Sequence, residues 1–310
     1  MGLISASLEQ LAMVGETTWG TIPATPGFQI LRFVPPATFN GNVETVKSGE
    51  KRGDRNPTDS IKVGSGATGS LNFELSYGTY DALLAAVLCN DWSNDVLKNG
   101  VAMKSFAFER KIPTGSSTAD YYRYTGMRLN GFSLACRAKE IVTGSFDLMG
   151  KAEAYADAAL AGATYADPTT TGVINAASDF ASLNLGSVAG VHILSLDMNV
   201  ENGLASHYAV GSLDPLGVTF GDFAVSGNME VYYESKDVYK KFLDGAAVDL
   251  SFTLGSVKGE KYTFEVPRLK FTSGDMPLAG GDEPIKITLG WEGLYDETAE
   301  CALMVTRGVA

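Results

Sequence analysis

Gly69-Ser70-Leu71-Asn72-Phe73-Glu74-Leu75-Ser76-Tyr77 alternates small or polar side chains with apolar ones. Successive side chains of an extended strand point to opposite faces. This period therefore predicts a strand with Leu71, Phe73 and Leu75 on a buried face and Ser70, Asn72 and Glu74 on a wet one. Immediately downstream the period changes. Tyr80, Leu83, Leu84, Val87 and Leu88 fall at helical spacing behind Thr79, a residue type suited to capping a helix N-terminus. After the turn residues Lys98-Asn99-Gly100, alternation returns over Lys104 to Lys111, and a further strand pair is expected over Tyr121 to Leu134 and Glu140 to Met149. Strand, helix and then strands predict a mainly β (α+β) unit, an antiparallel sandwich or half-barrel with one flanking helix.

Upstream, residues 1–36 end in TIPATPGFQILRFVPP. The prolines argue against helix and central strand alike, so an extended arm is expected. Residues 40–68 are polar with few apolar anchors, which predicts a long loop, or a β-hairpin that a partner must order. Lys47, Lys51, Arg52, Asp54 and Arg55 form a short mixed-charge cluster there. Its acidic neighbours and lack of interleaved aromatics argue against nucleic-acid binding. Salt bridges to another subunit suit it better, with a plain solvated loop as the competing reading.

Downstream, residues 152–181 turn rich in Ala and Thr and poor in large aliphatics, which predicts a linker or surface excursion, with a short helix over 152–163 as an option. The second half then repeats the order of the first. Asn199-Val200-Glu201 echoes Asn42-Val43-Glu44, and Gly227-Asn228-Met229-Glu230-Val231-Tyr232 echoes Gly69 to Glu74. Ser235 is a candidate cap before an apolar stripe of Val238, Tyr239, Phe242 and Leu243. Strands are expected at Val248 to Leu254, Tyr262 to Phe271 and Ile285 to Trp291, with Leu129 matched to Leu269 and Phe146 to Ile287. The repetition of order and spacing predicts a duplicated fold: residues 1–151 with the arm and the 40–68 loop, a connector at 152–181, and residues 182–310.

The 310 residues carry 36 acidic against 24 basic side chains, a formal charge of −12. Wrapping a DNA backbone needs clustered Lys and Arg, so that function is excluded, whereas an acidic wall suits DNA that passes without being held. Cys89, Cys136 and Cys301 are far apart, odd in number and free of CxxC spacing, so they are expected as buried thiols. MGLISASLEQ has neither a basic start nor an unbroken apolar run, no stretch is long and apolar enough for a membrane helix, and synthesis in the cytoplasm is expected. His192 and His207 lack metal-ligand spacing, no GxSxG elbow accompanies them, and Gly64-Ser65-Gly66 and Gly280-Gly281 lack the Lys-Ser/Thr ending of a phosphate loop. Gly281-Asp282-Glu283 lacks calcium-loop spacing. No catalytic, cofactor or metal residue is expected. A hydrolase has no motif behind it. A sugar-binding module would need an exposed aromatic platform, and Trp19, Trp92 and Trp291 are dispersed.

Three stretches stand out: Gly15-Glu16-Thr17-Thr18-Trp19-Gly20-Thr21-Ile22-Pro23, then Gly69 to Tyr77 with Tyr80-Asp81 and Leu83-Leu84, and Tyr124 to Leu134 ending at Gly144-Ser145-Phe146-Asp147-Leu148-Met149-Gly150. Together they resemble the tail tube proteins of bacteriophages with long non-contractile tails. The resemblance covers the first half; the second agrees in element order. It implies a β-sandwich or half-barrel core with a flanking helix. Six such folds form a ring whose inner strands close a barrel, and rings stack through loops and arms. It implies a virion tail component that encloses a tape-measure protein, passes double-stranded DNA to the host, and meets tail terminator and tail-tip proteins, with no catalytic residues. Two folds per chain would let three chains build one ring with pseudo-sixfold symmetry; were the second half an outer decoration instead, a ring would need six chains. The alternative is a β-sandwich tail-tip or carbohydrate-binding module.

Overall fold

The computed structural model describes residues 4–115, 118–186, 188, 190–278, 280–281 and 283–309. In chain order the first half contains β1 (Gln10–Gly15), β2 (Gly27–Ile30), β3 (Thr38–Lys47), β4 (Ser60–Glu74), α1 (Asp81–Val87), β5 (Val96–Lys98), β6 (Phe106–Pro113), β7 (Ala119–Arg137), β8 (Thr143–Gly150) and β9 (Ala152–Ala156). The rest contains β10 (Thr164–Ala166), β11 (Phe180–Leu185), β12 (Ile193–Glu201), β13 (Ala205–His207), β14 (Gly217–Thr219), β15 (Ala224–Tyr232), α2 (Asp237–Leu243), β16 (Val248–Leu254), β17 (Tyr262–Asp275), β18 (Lys286–Gly293) and β19 (Met304–Arg307). The protein is mainly β.

One long antiparallel sheet organises these elements, in the order β3-β4-β8-β7-β12-β15-β18-β17. Its strands alternate as a half-buried sheet must. In β15, Val225, Gly227, Met229 and Val231 are buried, while Ala224, Ser226, Asn228 and Tyr232 are exposed. The apolar side packs against two smaller groups of strands and the helices. On the first-half side these strands run β10-β2-β1-β6-β7-β9, and on the second-half side β11-β16-β17-β19-β5.

Aromatic side chains bind the layers together. Phe39 of β3 lies 4.9 Å from Phe108 of β6 between ring centroids, and Tyr80 at the start of α1 lies 4.7 Å from Phe73 of β4. Fully burying one such ring contributes on the order of 2 kcal/mol.

The two halves run through the same ladder order: β3-β4-β8-β7-β6 in the first, β12-β15-β18-β17-β16 in the second. The long strands β7 and β17 are irregular at corresponding places. Opposite β6 and β16 the register slips between Phe106/Phe108 and between Val248/Leu250. Opposite β8 and β18 it slips again between Leu129/Gly131 and between Phe271/Ser273. Bulges bend a strand, so each long strand leaves the long sheet and enters a smaller one. The ladders match Asn40 with Asn199, Leu129 with Phe271 and Phe146 with Leu289. The sequence pairings with Asn42, Leu269 and Ile287 are thus each two residues out. A slip of two leaves every side chain on its own face, which is why periodicity does not detect it.

Four other expectations need correction. Residues 1–36 are no free arm, because β1 pairs with both β2 and β6, and Leu11, Ala12 and Met13 are buried. The prolines of this segment lie between the strands, and Tyr80 Oη donates to the Arg32 carbonyl at 2.9 Å, pinning it down. Residues 152–181 hold no helix among the described residues; β9 pairs with β7, and β10 lies parallel to β2. Phe106, Ala107, Phe108 and Glu109 of β6 are all buried where alternation predicts one wet face, and at Glu109 this segment supplies the cover, through Tyr165 on its carboxylate and the Ala158 carbonyl on its partner Arg123. Thr79 does not cap α1; its hydroxyl meets those of Ser76 at 2.7 Å and Thr169 at 2.5 Å, and Tyr80 holds the cap position.

In the second helix, the Ser235 hydroxyl does accept from the Asp237 N–H, at 3.2 Å, one position before the cap residue Lys236. Val238 of the expected stripe is buried, whereas Leu243 is 66% exposed.

Candidate functional site

The polar side of the long sheet is a wet, largely open surface. Ser133 and Ser145 share it, their hydroxyls 2.8 Å apart across β7 and β8. Asn40, Asn199, Ser226, Asn228 and Thr288 continue it, so small uncharged side chains dominate. Its charges are mostly acidic. Arg137 is held by Asp197 at 3.2 Å and Lys286 by Glu230 at 3.6 Å. Asp147, Glu201, Asp275 and Glu292 are exposed and make no ion pair among the described residues. Lys270 stands opposite Glu292 in the β17–β18 ladder, and Asp147, Glu201 and Asp275 leave the surface with a negative excess and few donors that would hold a phosphate.

Strands β3 and β4 continue beyond the sheet as a hairpin. Thr38↔Ser70 to Lys47↔Ser60 are its paired ends, so of the two readings of residues 40–68 the hairpin is the one that forms. Val43, Val46, Ile61 and Val63 are 46–61% exposed along it, an apolar set left open among the described residues. Lys47 closes the ladder, and Lys51, Arg52, Asp54 and Arg55 are brought together in the exposed turn that follows. Asp54 accepts the Asn56 N–H at 3.1 Å, while the four basic side chains have no ion-pair partner among the described residues.

The corresponding excursion of the second half, between β12 and β15, takes a different course. Strands β13 and β14 form a small hairpin folded back on the first half. The Leu213 carbonyl accepts from Ser65 N–H at 2.8 Å, Ser65 Oγ donates to Asp214 at 2.5 Å, and Tyr208 Oη reaches the Ser65 carbonyl at 3.2 Å. Gly64-Ser65-Gly66 is therefore strand and docking ground, not a phosphate loop.

The Gly15–Pro23 motif acts structurally. The Glu16 carboxylate accepts from Gly126 N–H at 2.8 Å, Gly20 N–H at 2.8 Å and Ser105 Oγ at 2.7 Å. Trp19 Nε1 donates to the Gly126 carbonyl at 2.9 Å, and the ring is flanked by Arg128 and Lys151. Gly126 has φ +67° at the bulge of β7, and a Cβ there would lie 2.9 Å from Trp19 Nε1. The motif thus locks the bend that carries β7 from one sheet to the other. Sequence reading found the motif but not its partner Gly126.

The other candidates resolve likewise. Trp291 is buried and the Trp92 ring is covered by the Arg307 guanidinium at 4.6 Å, so the three tryptophans form no common platform. His192 Nδ1 lies 2.5 Å from Glu234, and His207 Nε2 lies 2.7 Å from Thr219 Oγ1. Asp282 lies outside the described residues. Among the described residues no cluster of three or more His, Cys, Asp or Glu side chains could hold a metal ion, and no helix is long and apolar enough to cross a membrane. The three cysteines are free and buried, and burial pushes the Cys136 thiol up to about 12.

The molecule thus combines a half-buried sheet, whose open side is polar and rich in carboxylates, with a projecting hairpin that exposes apolar side chains. The family model described as phage tail tube protein matches residues 6–293, and the chain belongs to that family. It is a structural component of the phage tail, in a family that is not one of enzymes. No curated protein matches the chain.

Proposed function

We propose that this chain is the repeating subunit of the tube of a long non-contractile phage tail, with the polar side of the long sheet lining the channel. The observation that supports the reading is the alternation of buried and wet side chains along most of the sheet β3-β4-β8-β7-β12-β15-β18-β17, interrupted at its bulges and at the projecting β3–β4 hairpin. One side is sealed by core, and the other presents Ser, Thr, Asn and unpaired carboxylates. Such a wall repels phosphates at short range and lets double-stranded DNA slide without sticking. The repulsion fades over about 10 Å at 0.1 M salt. The tape-measure protein occupies the same channel before DNA does, and terminator and tip proteins close the two ends. The subunit is synthesised in the bacterial cytoplasm and ends in the virion tail.

Each half contributes one copy of a duplicated tube fold, and three chains close a ring of six copies. The matched ladders and bulges support this, because β7 and β12 already join the two copies edge to edge. Closing a barrel removes open strand edges, a standing aggregation hazard. Rings then stack through the β3–β4 hairpin, whose exposed valines and isoleucine and unpaired basic turn reach the next ring.

Negative-stain imaging of the purified protein tests the reading, with native mass spectrometry of released rings. Hollow tubes built from three-chain rings are expected. A strict sixfold ring of whole chains would remove the three-chain arrangement. A particle that stays monomeric at high concentration would remove the tube itself.

A further inference from the structure

The seam between the two halves is a template for the contact between chains. Strand β7 meets β12 with Ser133 opposite Asn199 and Phe132 opposite Val200. Just beyond its two ends, Asn202 N–H donates to the Asn130 carbonyl at 2.8 Å and Ala138 N–H to the Leu194 carbonyl at 2.9 Å. Alternation then makes Val200–Phe132 a hydrogen-bonded pair and Asn199–Ser133 a non-hydrogen-bonded one.

The ladder correspondence carries β12 onto β3 and β7 onto β17. Both of the equivalent edges are open. Among the described residues β3 pairs only with β4, and beyond Leu269 the edge of β17 opposite β18 has no strand. Burial differs accordingly. Leu134 and Cys136, inside the internal seam, are 2% and 4% exposed, whereas their counterparts Met276 and Leu278 are 40% and 103% exposed. The open edge shows on the other side too. Gly41, the counterpart of Val200, points its N–H away from β4, where the Glu153 carboxylate accepts it at 2.8 Å.

Resting on the tube reading, we infer that the β3 edge of one chain pairs antiparallel with the β17 edge of a second copy, with Asn40 opposite Asp275, Gly41 opposite Gly274 and Phe39 opposite Met276. Glu153 then holds the place of a carbonyl that the incoming strand supplies. Pro277 fits this register. It takes the position of Ala135, whose N–H points away from the seam, so its missing donor breaks no bond across chains. Met276 and Leu278 gain the cover that Leu134 and Cys136 have within the chain.

A disulfide trap tests the register. Non-hydrogen-bonded antiparallel neighbours have Cα atoms roughly 4.5 Å apart, within the range a disulfide spans. Asn40→Cys with Asp275→Cys replaces two exposed residues, and the three native thiols are buried. Assembled tubes of this variant, oxidised mildly, are expected to give an interchain ladder that stops at three linked chains. Asn40→Cys with Ser273→Cys, slipped by two residues, is expected to link about tenfold less.

Tubes by electron microscopy with no link, or with equal or stronger linking of the slipped pair, would overturn the seam and leave the tube reading standing. A chain that neither links nor assembles removes both. Met276→Asp gives an independent check on a side chain the fold leaves exposed. Folded monomers that close no ring are expected, and normal rings from that variant would also overturn the seam.

Discussion

Glu109 and Arg123 face each other across β6 and β7, carboxylate oxygen to guanidinium nitrogen 2.7 Å, both almost wholly withdrawn from water. The Tyr165 hydroxyl donates to the other Glu109 oxygen at 2.5 Å, and Arg123 Nη2 donates to the Ala158 carbonyl at 2.6 Å. The pair thereby fastens the 152–166 segment to the smaller sheet. Removing one partner leaves an uncompensated buried charge, which typically costs about 3–5 kcal/mol. Glu109→Ala and Arg123→Ala are each expected to lower the unfolding free energy in urea by about that amount. A loss below 1 kcal/mol in either variant, roughly the value of a surface pair, would contradict the burial.

Gly227 sits on the core side of β15, where a Cβ would lie 2.0 Å from the Asp197 carbonyl oxygen and 2.5 Å from the Trp291 ring. Neither neighbour can move cheaply, since one is backbone and the other is fully buried. Gly227→Ala is therefore expected to destabilise by about 2 kcal/mol or more, and to lower the melting temperature by several degrees. An unchanged melting curve would show that the sheet opens there.

Burial raises the pKa of the Glu265 carboxyl above its ordinary value. Below that ordinary value the group is protonated in both folded and unfolded chains and has no effect. As pH rises through the raised folded value, the carboxylate must form in a partly dry site, and stability is lost. Glu265→Gln is expected to raise the melting temperature at neutral pH, with the gain vanishing near about pH 4. A difference independent of pH would assign the effect to shape rather than charge.

The basic side chains of the β3–β4 turn are exposed and make no ion pair among the described residues. Arg52→Glu with Arg55→Glu is expected to leave the melting temperature within about 1 °C of the parent, as exposed substitutions do. If the turn reaches the next ring, tube yield and length fall steeply in the same variant. Tubes of ordinary length and number would mean that the turn is plain solvated surface.

The alternation at Gly69–Tyr77 is legible because one side of β4 is core and the other water, and β16 and β17 start at their expected residues for the same reason. Long-range pairing is much less legible. The prolines after β1 and around β2 hide two strands whose partners lie far along the chain, β6 about a hundred residues from β1 and β10 still further from β2, and Ala152–Ala156 has too few large side chains to announce a strand. The polar side of the long sheet shows in the sequence only as the wet half of each alternation. Nothing local says that those halves join into one surface, because β7 and β12 must first meet. Lys51, Arg52, Asp54 and Arg55 lie in one exposed turn and Lys47 ends the strand before it, while a role for them in stacking rests on the tube proposal.

The join between β7 and β12 also bears on how quickly a ring can nucleate. Gathering each free body into an assembly forfeits translational and rotational freedom worth several kcal/mol. A chain that arrives with two repeats already aligned halves the number of bodies to be collected. In the proposed three-chain ring only three intermolecular contacts would be left to form by diffusion, and the first closed turn would be correspondingly easier to start at low subunit concentration.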